Sequence, residues 1–252
     1  MCKASRVLLI ACCCGKPHST RNLDAFILPL FFALQIWTRE LLQSDSTFDK
    51  ALLVCIELHT QLHDLVKNNN SPTIYQELLS LITNENSKYR PVNNFSSIAW
   101  NIWHITRIED AVSNILINNT KQILTEEILN KINVSVTDTG NAFTASDVDV
   151  FSEKFNFKEL IKYRKKVGTN TVAVLHKLTV LDRNRKPTRE QLNRLIQENV
   201  VTSSPESIGL VDFWSKKTIS GLLTMPITRH QIVHINDCYK LVEKYKKNKS
   251  NN

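Results

Sequence analysis

The chain has 252 residues, 42% hydrophobic and 22% charged, with a formal charge of +8 and only 5 glycines and 7 prolines. That length accommodates one sizeable core, and the scarcity of turn formers argues against a hairpin-rich β protein. The cysteines exclude a small secreted disulfide scaffold, because Cys2, Cys12, Cys13 and Cys14 crowd the start while Cys55 and Cys238 stand alone within helical patterns.

A reducing, cytoplasmic setting is the simpler expectation. The stretch "MCKASRVLLIACCCGKPHS" looks like a short lipoprotein signal, but its apolar run falls short of the roughly 7 to 15 residues of an h-region. Export is therefore the lesser alternative. Residues 1–45 read as an N-terminal extension with disorder in part. Within it, Ala25 to Trp37 is apolar but interrupted by Pro29 and Gln35, too short to span a bilayer and suited to an extra packed helix or a lead-in.

From residue 46 onward the 3.6-residue period dominates. A first long helix is predicted over Thr47 to Lys67, where Leu52, Cys55, Leu58 and Leu62 recur at three- and four-residue steps and "NNNSP" stops it. A shorter helix follows in "PTIYQELLSLI". The next long one lies in "FSSIAWNIWHITRIEDAVSNILI", with Ser96 or Ser97 able to accept a bond from the first-turn amides. After a small helix in "TEEILNKI", the stretch "NVSVTDTGNAFTASD" is the clearest loop, and "INVSVTD" carries the one weak strand-like alternation. A third long helix opens at Asn156, with Glu159 three residues later; Thr188 and Gln191 repeat that start signal for a short helix. The fourth long helix is expected from about Pro226 to Lys246, with residues 248–252 as a polar tail.

The result is an all-α reading: a four-helix bundle with extra short helices, occupying residues 46–247. Residues 158–189 hold ten Lys or Arg against two acids. A solvated helix face explains this better than nucleic-acid binding, for which no motif is present.

The chemistry concentrates on histidines. His230 and His234 stand at i and i+4, so one helical face presents both imidazoles. Two ligands on one helix need a third from elsewhere, and His104, between Trp100 and Trp103, is the best candidate. Three imidazoles leave a coordination position open, as in catalytic rather than sealed sites. Cys55, His59 and His63 form a rival row, but ligands at i, i+4 and i+8 spread over about 12 Å of helix axis, so His59 ranks well below the trio. His18 and His176 have no identifiable partners. Glu109 and Asp237 are candidates to orient a ligand or accept a proton, set against an ordinary ion-pairing role for such acids. Cys238 could approach an ion but reads more simply as a small hydrophobe.

The segments "SSIAWNIWHITRIED" and "TRHQIVHIND", in this order, resemble the DinB-like family of metal-binding four-helix bundles. The resemblance implies that His104, His230 and His234 are metal ligands, with Trp100 and Trp103 walling the pocket. It also implies a divalent ion, zinc or nickel foremost, and a stress-response role. Some members look like metal-dependent transferases using a low-molecular-weight thiol, so the expectation is a thiol-dependent S-transferase or a hydrolase acting on a small-molecule electrophile, in a chain that could pair as a homodimer. The alternative is a non-catalytic binding bundle. This chain departs from the family in placing Ile235-Asn236-Asp237 after His234, where many members carry Arg-Gly-Gln or similar.

Overall fold

A computed structural model describes residues 27–65 and 72–251. The leader-like stretch, Cys2, Cys12, Cys13, Cys14 and His18 lie outside the described residues. The helices are α1 (Ile27–Leu41), α2 (Phe48–Gln61), α3 (Ile74–Leu81), α4 (Asn84–Lys88), α5 (Ile98–Ala111), α6 (Glu126–Ile132), α7 (Ala145–Lys154), α8 (Phe157–Leu175), α9 (Arg189–Gln197), α10 (Pro205–Ser215), α11 (Ile219–Thr224) and α12 (His230–Ser250). Among the described residues there is no strand, so "INVSVTD" forms none.

Four long helices carry the architecture. α5 packs on both α8 and α12, α8 packs on α2, and α2 reaches the turn that leads into α12. This ring of contacts agrees with a bundle of four. The start signals behave as their chemistry dictates: Ser97 accepts from the Trp100 amide, Asn156 from the Glu159 amide, and Thr188 and Gln191 form a reciprocal capping box. α2 ends earlier than its apolar period suggests. Leu62 leaves the helix at φ −94°, ψ 4°, and the amides of Leu62 and His63 bond back three residues, to the His59 and Thr60 carbonyls. The hydroxyl of Thr73 then holds the His63 carbonyl at 3.0 Å.

α5 is buried along its whole length, and it continues as a π-helical segment over Val112–Ile117 that is equally buried. Its polar residues therefore need partners inside the protein. Asp110 is the hub: it accepts from the Arg107 guanidinium, the Asn114 amide, the Tyr163 hydroxyl and the backbone amides of Ile123 and Leu124. Asp110 pairs with Arg107, and both are fully buried.

α12 does not begin at Pro226. The chain is already helical from Ile219, and Met225–Arg229 forms a π-turn joining α11 to α12. Pro226 lacks an amide proton. Near it the Thr228 hydroxyl lies 3.0 and 3.1 Å from the Leu223 and Thr224 carbonyls. Gln35, the residue that interrupts the apolar run of α1, is buried and donates to Thr228 Oγ1 at 2.6 Å, joining α1 to the turn that aims the histidine pair.

Much of the positive charge over residues 158–189 is locally matched. Lys162 pairs with Glu159, Lys165 with Asp64, Arg183 with Asp45 and Arg185 with Asp182, while Arg164 is buried. Among the described residues no helix is long and apolar enough to cross a membrane.

Candidate metal centre

The site is framed by one loop strapped along one helix. The side chains of Arg107, Trp103, His104 and Trp100 on α5 face four successive carbonyls, those of Thr137, Asp138, Thr139 and Gly140, at 2.8, 2.9, 2.7 and 3.2 Å. Gly140 stands at φ +69°, and a Cβ there would lie 2.8 Å from the Trp100 indole nitrogen. Only glycine permits both the left-handed backbone and that approach. The loop seen in the sequence thus has a definite task, which is to orient α5 side chains.

His104, His230 and His234 come together. Their ring centroids are separated by 5.1 Å (104 to 230), 4.9 Å (104 to 234) and 4.5 Å (230 to 234), and one nitrogen from each lies within 4.8 Å of the others. His104 is buried, whereas His230 and His234 are partly exposed, so one side of the cluster is reachable from solvent.

The tautomers follow from the neighbours. Thr139 O can only accept, so His104 Nδ1 carries the proton and Nε2 keeps its lone pair. Asn101 donates through Nδ2 to the Ser97 carbonyl at 2.8 Å, which turns its Oδ1 to His234 Nδ1 at 2.7 Å. His234 Nε2 is thereby left with a lone pair, 3.1 Å from His230 Nε2. Metal-bound histidines are commonly held this way, the distal N–H fixed by a carbonyl or carboxylate. Burial keeps the imidazoles neutral: it lowers His104 to about 4 and His234 to about 3, the latter helped by His104, and it puts His230 well below its usual value. Neutral rings, with inward lone pairs on His104 and His234, fit a divalent cation.

A protein-family model described as the DinB superfamily matches residues 70–235, more than half of the chain and inclusive of all three histidines. The chain belongs to the DinB superfamily. No curated protein matches it.

Around the triad of this DinB chain the other candidates are distributed unevenly. Trp100 stacks on His104 at 4.6 Å with 12° between planes and meets His234 edge-on at 5.8 Å, so it lies against the cluster. Trp103 does not join it: its ring contacts are Phe151 and Tyr163, and it is fully buried. The reason is the helical step: Trp103 directly precedes His104 and points about 100° away from it around the axis, whereas Trp100, four residues earlier, shares its face, and Trp103 follows the Asp138 carbonyl instead. Asp237 is partly exposed and lies 3.7 Å from Lys240, and Cys238 is a buried free thiol that burial pushes up. His176 is exposed.

Glu109 belongs elsewhere. It is fully buried, and its two oxygens take His59 Nε2 at 2.6 Å and His63 Nε2 at 2.9 Å, with Gln231 Nε2 at 2.8 Å. His59 and His63 stack at 4.3 Å, so the expected spread along the axis does not keep this pair apart; Cys55 packs into a different apolar cluster. Sequence spacing pointed to the two histidines but not to Glu109, which comes from another helix.

Asn101 is the residue that spacing could not reveal. Asn101→Ala is expected to weaken zinc binding about 10- to 100-fold, while Asn101→Asp, which keeps an acceptor facing His234 Nδ1, largely restores it. Competition against a zinc chelator measures both, and equal affinity in wild type and Asn101→Ala would exclude the role.

Proposed function

We propose that this chain is a divalent-metal enzyme of the DinB superfamily in which His104, His230 and His234 hold the ion, zinc or nickel foremost, and that it acts on a small electrophile with a low-molecular-weight thiol or with water. One observation carries the reading: Thr139 and Asn101 fix the Nδ1 protons of His104 and His234, so both Nε2 lone pairs remain available in a cluster that is open on one side. A divalent ion supplies acidification, lowering the pKa of a thiol or water that reaches it into the neutral range. The protein's own groups do the rest. The imidazoles stay neutral and ligating, Trp100 stacks on the His104 ring and steadies it, and the 137–140 strap keeps α5 in register.

The test is metal content followed by turnover. Untagged protein should carry a stoichiometric divalent ion at the triad, and His104→Ala, His230→Ala and His234→Ala should each lose it. A total ion count unchanged from wild type in all three variants would refute the site. Metal that is bound and lost as expected, without ion-dependent consumption of thiol or hydrolysis of electrophile, would instead establish the non-catalytic binding bundle.

A further inference from the structure

We infer that His59, His63 and Glu109 form a second divalent-cation site, closed to solvent and distinct from the triad. The two imidazole nitrogens and the carboxylate oxygens lie within 4.8 Å of one another, and all three side chains are completely buried. This inference does not depend on the triad's function. His59 and His63 precede the stretch that matches the family, whereas Glu109 lies within it.

The geometry favours a small ion over a purely packed network. His59 sits in the last turn of α2 and His63 just beyond it, where the Thr73 hydroxyl pins the His63 carbonyl. α8 is cut away to admit the His63 ring, since a Cβ on Gly168 would lie 2.4 Å from its Nδ1. Glu109 is then bracketed by both Nε2 atoms, at 2.6 and 2.9 Å, so an ion with ligands at about 2.0 to 2.1 Å would need these groups to part by roughly half an ångström. Without an ion, each Nε2 donates to Glu109, and His59 Nδ1 and His63 Nδ1 are buried with no partner. Ligation through Nε2 needs the Nε2 lone pairs, so each ring proton moves to Nδ1 and none is lost from the ring.

The donor set is two imidazoles and one carboxylate, which suits zinc, iron(II) or manganese rather than copper(I). Arg164 sets the affinity. Its guanidinium is 3.9 Å from Glu109 Oε2 and is held by the Leu62 carbonyl at 2.8 Å and Gln231 Oε1 at 2.9 Å. That positive charge opposes an incoming cation, so this site binds more weakly than the triad.

The test counts ions. Full-length untagged protein, stripped and then dialysed to equilibrium against zinc chloride, should hold about two ions per chain, one for each three-ligand cluster. The double variant His104→Ala/His234→Ala should hold one, and Glu109→Gln and His63→Gln should each hold one, at the triad. Cobalt(II) substitution adds a visible spectrum for each ion separately. Wild type saturating at one ion that is lost in the His104→Ala/His234→Ala variant overturns the inference, as does a count of two that survives in both Glu109→Gln and His63→Gln. Circular dichroism reports folding; if a network variant fails to fold, the wild-type and His104→Ala/His234→Ala counts decide alone. Wild type that holds a single ion, kept in His104→Ala/His234→Ala and lost in Glu109→Gln and His63→Gln, would sink the proposed function while leaving this site standing.

Discussion

Asp110→Ala is expected to cost about 3 to 5 kcal/mol of folding stability, the range for breaking a buried ion pair by removing one partner. Asp110 is fully buried, and five donors converge on it: Arg107, Asn114, Tyr163 and the amides of Ile123 and Leu124. Alanine would leave the guanidinium without its counter-charge and two backbone amides without acceptors, each orphan costing about 1 to 3 kcal/mol. Asp110→Asn keeps the shape and part of the acceptor capacity, so its loss should be smaller. The effect should also reach the metal centre, because Arg107 anchors the Thr137 carbonyl at the start of the strap that holds His104. Urea unfolding at neutral pH measures the first effect and zinc affinity the second; a stability change under about 1 kcal/mol would show that the hub is not required.

Acid should destabilise the metal-free protein well above the carboxylate range. His63 is lowered to about 3 by burial and by Arg164, His104 to about 4 by burial, and His234 to about 3 by burial and His104. In the unfolded chain each titrates near 6.5. Between 6.5 and 4 the unfolded state therefore binds protons that the folded state refuses, and stability rises with pH. The contribution is complete above about pH 6.5 and is lost as pH falls toward 4, at up to about 1.4 kcal/mol per pH unit for each histidine. Glu109 adds to the same trend at lower pH: burial opposes its ionisation, yet His63 and His59 hold it well below the usual carboxylate value. Urea midpoints at pH 7.5 and pH 5 should differ by several kcal/mol of stability; identical midpoints would mean that the imidazoles protonate freely in the folded protein.

Spacing in the chain carried most of the helix assignments, because a helix shows its period and its first turn shows its cap. Four helices are absent from the sequence reading, namely α4, α7, α10 and α11. α7 has Thr144 and Asp147 as a capping box, and α10 has Ser204 followed by Pro205 at its first position, signals of the same kind that were available but sat in short polar stretches. The burial of α5 could not be read from periodicity. A stripe of apolar residues implies one wet face, whereas Asn101, Arg107, Glu109 and Asp110 are all buried because the loops and helices around α5 supply their partners.

By itself the sequence determined that the chain is helical and that His230 and His234 share one helical face, because those facts depend only on the 3.6-residue turn and on residue type. Tertiary structure decided which acid faces which base. Glu109 meets His59 across 50 residues and Asn101 meets His234 across 133. Such pairings depend on how helices lie against one another, and no local period encodes that.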